Sequence, residues 1–134
     1  MTKIESKKVS VNASSEKVFQ YLKNLDNLVD LLPAKNISDW TSQGTSCSFK
    51  VQGAYKISLV HQSDTPNSFI CFASGEGSPF PFTLNIHIEE KGSTCDVHQI
   101  CEAQINPFLE MIVKGPLKNL FDYIADKLAE KFNS

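Results

Sequence analysis

The sequence predicts an α+β fold in which a seven-stranded antiparallel sheet lies against one long C-terminal helix. Three observations predict it: an alternating apolar segment at the start, six further alternating segments from residue 37 onward, and a helical apolar stripe after Asn106. A chain of 134 residues has the length of one domain, so we expect residues 1–134 to form a single domain.

The first strand and the helical segment after it are predicted from periodicity. Apolar residues alternate over Lys3–Val11, which predicts one strand. Ser14 is suited to cap a helix, and apolar residues then recur every three or four positions up to Pro33. This spacing predicts either one amphipathic helix or two short helices broken near Asp26.

Turn residues divide the middle of the chain into six strands. Gly92-Ser93 suits a type II′ hairpin, whose first central position favours glycine. A two-residue turn there pairs residues whose numbers sum to 185, so Ile86 faces Gln99 and His87 faces His98.

The last helix begins at Asn106, a good N-cap, and Pro107, a favoured first helical residue. An apolar stripe follows at helical spacing to near the C-terminus. Gly115 and Pro116 interrupt it. Because an interior proline costs about 3 kcal/mol and removes a backbone hydrogen bond, we expect a kink there.

The charged residues limit the classes of function. The formal net charge is -2, and the thirteen cations are all lysine. Arginine supplies the planar donor pair that reads guanine and phosphate, so its absence argues against a nucleic-acid partner. The first eight residues are polar, and no apolar run approaches the ~20 residues of a membrane span. We therefore expect a cytoplasmic protein without integral membrane association.

No set of catalytic or metal-ligating residues is apparent. The serines lack a G-x-S-x-G elbow, and the cysteines lack C-x-x-C spacing. His87 and His98 stand close enough to share a metal ion, with Glu89 and Asp96 as further candidates, but a solvated polar face is commoner. We predict no catalytic residue, no metal and no cofactor.

The four cysteines, Cys47, Cys71, Cys95 and Cys101, lie in apolar segments. Cys95 and Cys101 share one predicted strand, about 20 Å apart, which is too far for a mutual disulfide. We expect four buried free thiols.

Two segments resemble a known superfamily, and the match in element order covers the whole chain. Val9–Phe19 is similar to its entry from the first strand into the first helix, and Asn106–Leu109 is similar to the start of its C-terminal helix. The superfamily is the START-like, or Bet v 1-like (SRPBCC), superfamily, which includes polyketide cyclases and dehydratases. The resemblance implies a helix-grip fold: seven antiparallel strands wrapped around the C-terminal helix, a hydrophobic cavity between them, and two short helices between strands 1 and 2.

Members of this superfamily bind lipids, sterols, polyketides, quinones or plant hormones; some are enzymes and some are co-chaperones. The resemblance therefore leaves three functions open. The first is a non-enzymatic domain that binds or carries a hydrophobic small molecule or lipid. The second is a cyclase or dehydratase, and the third is a protein-interaction or co-chaperone module with exposed apolar surface near Trp40 and Phe80. The first is favoured because no catalytic set is present, and the oligomeric state stays open.

The candidate cavity residues combine large apolar side chains with two polar ones. Gln99 and His61 lie in the inward phase of their strands and are the best candidates to orient a ligand, although either side chain is equally suited to bond with the backbone or with water. Phe80 belongs to the Gly- and Pro-rich loop 74–82, which is either a mobile gate or a rigid turn with one aromatic in the core. The predicted set is Phe49, His61, Phe72, Phe80, Phe82, Gln99, Met111 and Leu120.

Overall fold

Eight strands form one antiparallel sheet, and a 27-residue helix follows the last of them. The computed structural model describes residues 1–53 and 55–133. The strands are β1 (Thr2–Glu5), β2 (Val9–Val11), β3 (Ile37–Ser42), β4 (Ser46–Val51), β5 (Tyr55–Thr65), β6 (Phe69–Ser74), β7 (Phe82–Lys91) and β8 (Thr94–Ala103). The helices are α1 (Ser15–Lys23) and α2 (Pro107–Asn133), with 3₁₀ segments Leu25–Leu31 and Ala34–Asn36 before β3. The predicted helix-grip order of elements is confirmed.

The strands follow the order β1-β8-β7-β6-β5-β4-β3, and β2 also pairs with β8. The predicted β7–β8 register is confirmed, with Ile86 opposite Gln99 and His87 opposite His98. Gly92 has φ 80°, and Ser93 is not among the residues with positive φ, as a type II′ turn requires. The turn thus fixes which side chains of these two strands face inward.

The prediction of one strand over Lys3–Val11 is wrong, because a bulge divides it. Glu5 pairs with Ile100 and Val9 pairs with Val97, so three residues of the first segment lie opposite two of β8. Ser6 N donates to Gln99 O at 2.9 Å, which closes the bulge. The extra residue lets β1 and β2 both turn apolar side chains inward.

The helical segment before β3 is broken after Lys23, so of the two predicted forms the two short helices are confirmed. Ser14 caps α1 by accepting a hydrogen bond from Lys17 N at 3.2 Å. The chain leaves α1 at Asn24, whose side chain accepts from Asp26 N at 3.0 Å, and continues as 3₁₀ helix to Leu31.

The C-terminal helix begins as predicted, with Asn106 Oδ1 accepting from Leu109 N at 2.8 Å. It then continues as one helix through Gly115 and Pro116. The kink at Pro116 stays a prediction. Pro116 has no backbone N–H to donate, so one helical hydrogen bond is missing there. Packing of the apolar residues that follow keeps the helix against the sheet.

The core lies between the inner face of the sheet and one side of α2. That side buries Val113, Leu117, Leu120, Phe121, Ile124, Ala125 and Leu128. All four cysteines are buried free thiols, as predicted. Among the described residues, no helix combines the length and the apolar character needed to span a membrane.

Candidate functional site

Two small apolar cavities lie side by side between the sheet and α2. We name them the Gln99 cavity and the Phe80 cavity after one residue in the wall of each. The Gln99 cavity is lined by Tyr21, Leu22, Leu25, Asn27, Leu28, Leu31, Leu59, Phe72, Leu84, Ile86, Val97, Gln99, Ile124 and Leu128. The Phe80 cavity is lined by Leu28, Phe49, Ile57, Leu59, Phe80, Phe82, Leu84, Cys101, Leu117, Leu120, Phe121 and Ile124.

Four aliphatic side chains line both cavities: Leu28, Leu59, Leu84 and Ile124. We call them the shared wall. Leu59 and Leu84 belong to the sheet and Ile124 to α2, and all three are buried, whereas Leu28 is half-buried on the first 3₁₀ segment. Movement of the shared wall would join the two spaces into one.

Neither cavity holds a ligand-sized void in this structure. Each measures about 20 Å³, which is the space of about one water molecule. Sites for small molecules measure roughly 300–1,000 Å³. A ligand therefore enters only if the walls move.

The segment Leu25–Leu31 is anchored at its beginning and less so at its middle. Leu25 N donates to Gly44 O at 2.8 Å, and Asp26 Oδ1 accepts from Gly44 N at 2.9 Å. Tyr21 and Asn27 exchange two hydrogen bonds of 3.0 and 3.3 Å. Beyond Asn27 the segment exposes Val29, and 3₁₀ hydrogen bonds have poorer geometry than α-helical ones. Leu28 thus lies between the hydrogen-bonded residues 25–27 and the buried Leu31, in the most exposed part of the segment.

Gln99 is the polar residue held deepest in these walls, with 3% of its surface exposed. Its Nε2 donates to the main-chain oxygen of Phe121 at 3.0 Å. Its backbone is fixed by the bulge, because Gln99 N donates to Ser6 Oγ at 3.0 Å. One hydrogen bond at the backbone and one at the amide group therefore hold the side chain in position.

The loop that carries Phe80 is packed as a rigid turn. Gly75 lies so close to β5 that a Cβ there would stand 3.0 Å from Ser58 Cβ. Ser58 Oγ donates to Glu76 O at 2.9 Å, and Ser58 N donates to Ser78 Oγ at 3.1 Å. Phe80 itself is 6% exposed, which favours the rigid-turn interpretation over the mobile gate.

Six of the eight side chains predicted from the sequence lie in the cavity walls. Phe72 and Gln99 line the Gln99 cavity, whereas Phe49, Phe80, Phe82 and Leu120 line the Phe80 cavity. The placement of Met111 is wrong, since 83% of its surface is exposed. Met111 is two residues before the buried Val113, and a step of two residues turns a helix by about 200°, to its opposite side.

His61 lies outside both cavities, on a surface cleft lined by Gln20, Lys23, Asn24, Asp26, Gly44, Thr45 and His61. Its Nε2 is 2.7 Å from Asp64 Oδ2, which also meets Lys23 Nζ at 3.5 Å. The imidazole touches the edge of Phe72, whose ring lines the Gln99 cavity. The phenyl ring thus separates His61 from Gln99, and the two side chains do not converge on one site.

The prediction of an exposed apolar surface near Trp40 and Phe80 is also wrong. Phe80 is buried, and Trp40 is half-buried and stacks on Phe49 with ring centroids 5.9 Å apart. Large exposed apolar side chains occur instead on the first turns of α2, at Phe108, Met111 and Ile112.

The outward pair on β7 and β8 gives no metal centre. His98 Nε2 lies 3.3 Å from Glu5 Oε1, and His87 packs on the ring of Phe69. Within residues 1–53 and 55–133, no group of three or more His, Cys, Asp or Glu side chains is arranged to hold a metal ion.

Sequence reasoning missed the shared wall. Leu59, Leu84 and Ile124 belong to predicted apolar faces, but nothing local distinguishes them from other core leucines and isoleucines. Leu28 had one available signal: it is an apolar residue in a segment predicted to break near Asp26.

Comparison with known proteins identifies the fold. No protein-family model and no curated protein matches the chain. A START superfamily protein from Mycobacterium smegmatis matches with 13% identity and a TM-score of 0.70, covering 98% of this chain and 97% of that one. The Aha1 dimer protein from Colwellia psychrerythraea matches with 17% identity and a TM-score of 0.65, over 96% and 97% of the two chains.

A third similar structure is the di-domain ARO/CYC protein BexL from the BE-7585A biosynthetic pathway. It matches with 12% identity and a TM-score of 0.65, covering 96% of this chain and 46% of BexL. The chain therefore has the START-like, Bet v 1-like fold. Identities this low establish the fold and leave the function to the site.

Proposed function

We propose that this START-like protein binds a small hydrophobic molecule between the sheet and α2, and that it does so without catalysis. One observation carries the proposal: four aliphatic side chains, those of the shared wall, line both apolar cavities. Outward movement of Leu28, together with the other shared-wall side chains, would join the cavities and begin to open the volume that a ligand needs.

The proposal includes a route of entry. Leu28 is the half-buried member of the shared wall. The hydrogen bonds that join its segment to α1 and to the β3–β4 turn are made by residues 25–27, before Leu28. The rigid packing of the Phe80 loop against Ser58 argues against entry from that side. The ligand therefore enters at the middle of Leu25–Leu31, beneath Leu28.

The cyclase alternative has less support from this site. It relied on Gln99 and His61 acting at one point, and Phe72 lies between them. General acid–base chemistry needs the two groups within hydrogen-bond reach of the same substrate atoms. Binding without catalysis requires no such convergence.

The test is a titration with N-phenyl-1-naphthylamine, an uncharged apolar probe that fluoresces when it leaves water. The wild type is expected to bind it with saturation at one probe per chain. Leu28→Ala removes part of the shared wall and is expected to bind the probe several-fold more tightly, because less of the wall must move.

Val29→Ala is the matched control, since Val29 is exposed and lines neither cavity. It is expected to bind like the wild type. Absence of saturable binding by both the wild type and Leu28→Ala would overturn the proposal.

A further inference from the structure

The polar groups in the wall of the Gln99 cavity are not equivalent. Among its described lining residues, three have polar side chains: Tyr21, Asn27 and Gln99. Tyr21 and Asn27 satisfy each other, because the Tyr21 hydroxyl donates to Asn27 O and Asn27 Nδ2 donates to Tyr21 O. Asn27 Oδ1 also accepts from no described residue, but Tyr21 and Asn27 are half-buried and within reach of water, whereas Gln99 is 3% exposed. Gln99 is thus the polar side chain of this wall that depends most on a partner inside the cavity.

The orientation of the Gln99 amide follows from its partner. The main-chain oxygen of Phe121 can only accept, so the atom 3.0 Å from it is the amide nitrogen. The other end of the amide is the carbonyl Oε1, to which no described residue donates. A carbonyl oxygen has two lone pairs, so this oxygen is free to accept a hydrogen bond from a ligand.

Water is a poor permanent occupant of that position. The cavity has room for about one molecule, but a buried water normally makes about three hydrogen bonds, and apart from Tyr21, Asn27 and Gln99 the surrounding wall is aliphatic and aromatic. A ligand group that donates to Oε1 would displace such a water without losing other hydrogen bonds.

The walls also exclude charge. No described residue that lines either cavity is charged, and Cys101 in the Phe80 cavity is a neutral thiol, since burial raises its pKa to about 12. An ionised carboxylate or ammonium would lose its hydration there without gaining a partner of opposite charge.

We infer that the ligand is an uncharged apolar molecule with one hydrogen-bond donor at its end, such as an alcohol or a phenol. The donor meets Gln99 Oε1 in the Gln99 cavity, and the apolar remainder extends past the shared wall into the Phe80 cavity. This inference rests on the proposed function and adds the chemical class of the ligand.

The test uses four ligands of nearly equal shape: 4-butylphenol, 4-butylanisole, butylbenzene and 4-butylbenzoate. The phenol can donate, the anisole can only accept, butylbenzene can do neither, and the benzoate is ionised at neutral pH. Isothermal titration calorimetry gives the dissociation constant of each with the wild type and with Leu28→Ala. We expect the phenol to bind about tenfold more tightly than the anisole or butylbenzene, and the benzoate to bind most weakly.

Gln99→Met assigns the preference to the amide, because methionine keeps the unbranched length and removes the acceptor. It is expected to bind the phenol and the anisole about equally. Gln104→Met is the matched control at an exposed position and should keep the tenfold preference. Circular dichroism establishes that both variants are folded, and the comparison of ligands on the wild type decides the class of ligand even if Gln99→Met does not fold.

The outcomes separate the two proposals. Equal binding of the three uncharged ligands by the wild type would overturn the donor inference and support the binding function. A preference for the phenol that persists in folded Gln99→Met would overturn the role of Gln99. Binding of none of the four ligands, by the wild type or by Leu28→Ala, would overturn the proposed function and the inference with it.

Discussion

Gln99 Nε2 donates a hydrogen bond of 3.0 Å to the main-chain oxygen of Phe121, and so joins the inner face of β8 to the middle of α2. The bond spans 22 residues of sequence and is buried. It attaches the helix directly to the sheet at the wall of the Gln99 cavity. Gln99 therefore has both a structural and a proposed ligand-binding role.

The structural role predicts a loss of stability in Gln99→Met. Without the amide, Phe121 O loses the hydrogen bond from the sheet, and the free energy of unfolding is expected to fall by about 1 kcal/mol. Urea unfolding followed by circular dichroism measures the change. Gln104→Met, at an exposed position, should leave the midpoint unchanged. An unchanged midpoint in Gln99→Met would show that the bond contributes nothing net.

The N-cap of α2 gives a second prediction. Asn106 Oδ1 accepts from Leu109 N at 2.8 Å, and replacement of an N-cap asparagine by alanine typically costs about 1 kcal/mol. Asn106→Ala is expected to lower the free energy of unfolding by that amount in urea. Asn119→Ala, on the exposed side of the same helix, should be neutral or slightly stabilising, because alanine has the higher helix propensity. Equal effects of the two substitutions would contradict the capping role.

Acid stability depends on Asp64. The hydrogen bond from His61, opposed by partial burial and aided by Lys23, holds the pKa of Asp64 below its ordinary value of 3.8. A carboxylate with a lowered pKa stabilises the folded state above the pKa of the unfolded chain, and this contribution disappears as the pH falls through the folded-state pKa. Asp64→Asn should therefore be less stable than the wild type near pH 6, and the difference should shrink as the pH is lowered below about 4.

Urea midpoints of the two proteins, measured at both ends of that pH range, test this prediction. Asp30→Asn at an exposed position is the control for removal of one negative charge. A difference between wild type and Asp64→Asn that stays constant down to pH values of about 3 would count against the role of Asp64.

The thiols report whether the interior opens. Burial raises the pKa values of Cys47 and Cys101 to about 12, so at about pH 8 both thiols are protonated and unreactive. Ellman's reagent is expected to label neither in the native protein and all four cysteines in urea. In Leu28→Ala, labelling of Cys101 should accelerate because this residue lines the Phe80 cavity. No acceleration relative to Val29→Ala would argue against entry beneath Leu28.

The sequence alone determined most of the local structure. The Gly92-Ser93 turn fixed the β7–β8 register, and with it the inward position of Gln99. Ser14 and Asn106 marked the starts of both helices. Such features depend on residues close together in the chain, where steric and hydrogen-bonding preferences act without help from the rest of the fold. The sequence also contained a local sign of the bulge. In a regular strand the inward residues are all even-numbered or all odd-numbered, but here the inward apolar residues change from the even-numbered Ile4 to the odd-numbered Val9.

Only the tertiary structure decided where the interior is empty and which side chains share it. The shared wall combines Leu28, Leu59, Leu84 and Ile124 from four elements that are distant in sequence. Whether such side chains fill the space or leave a cavity depends on their summed volumes and on the distance between α2 and the sheet, and hydrophobic periodicity contains neither quantity. For the same reason Phe72 came to stand between His61 and Gln99, although both polar side chains occupy the same apolar phase of their strands.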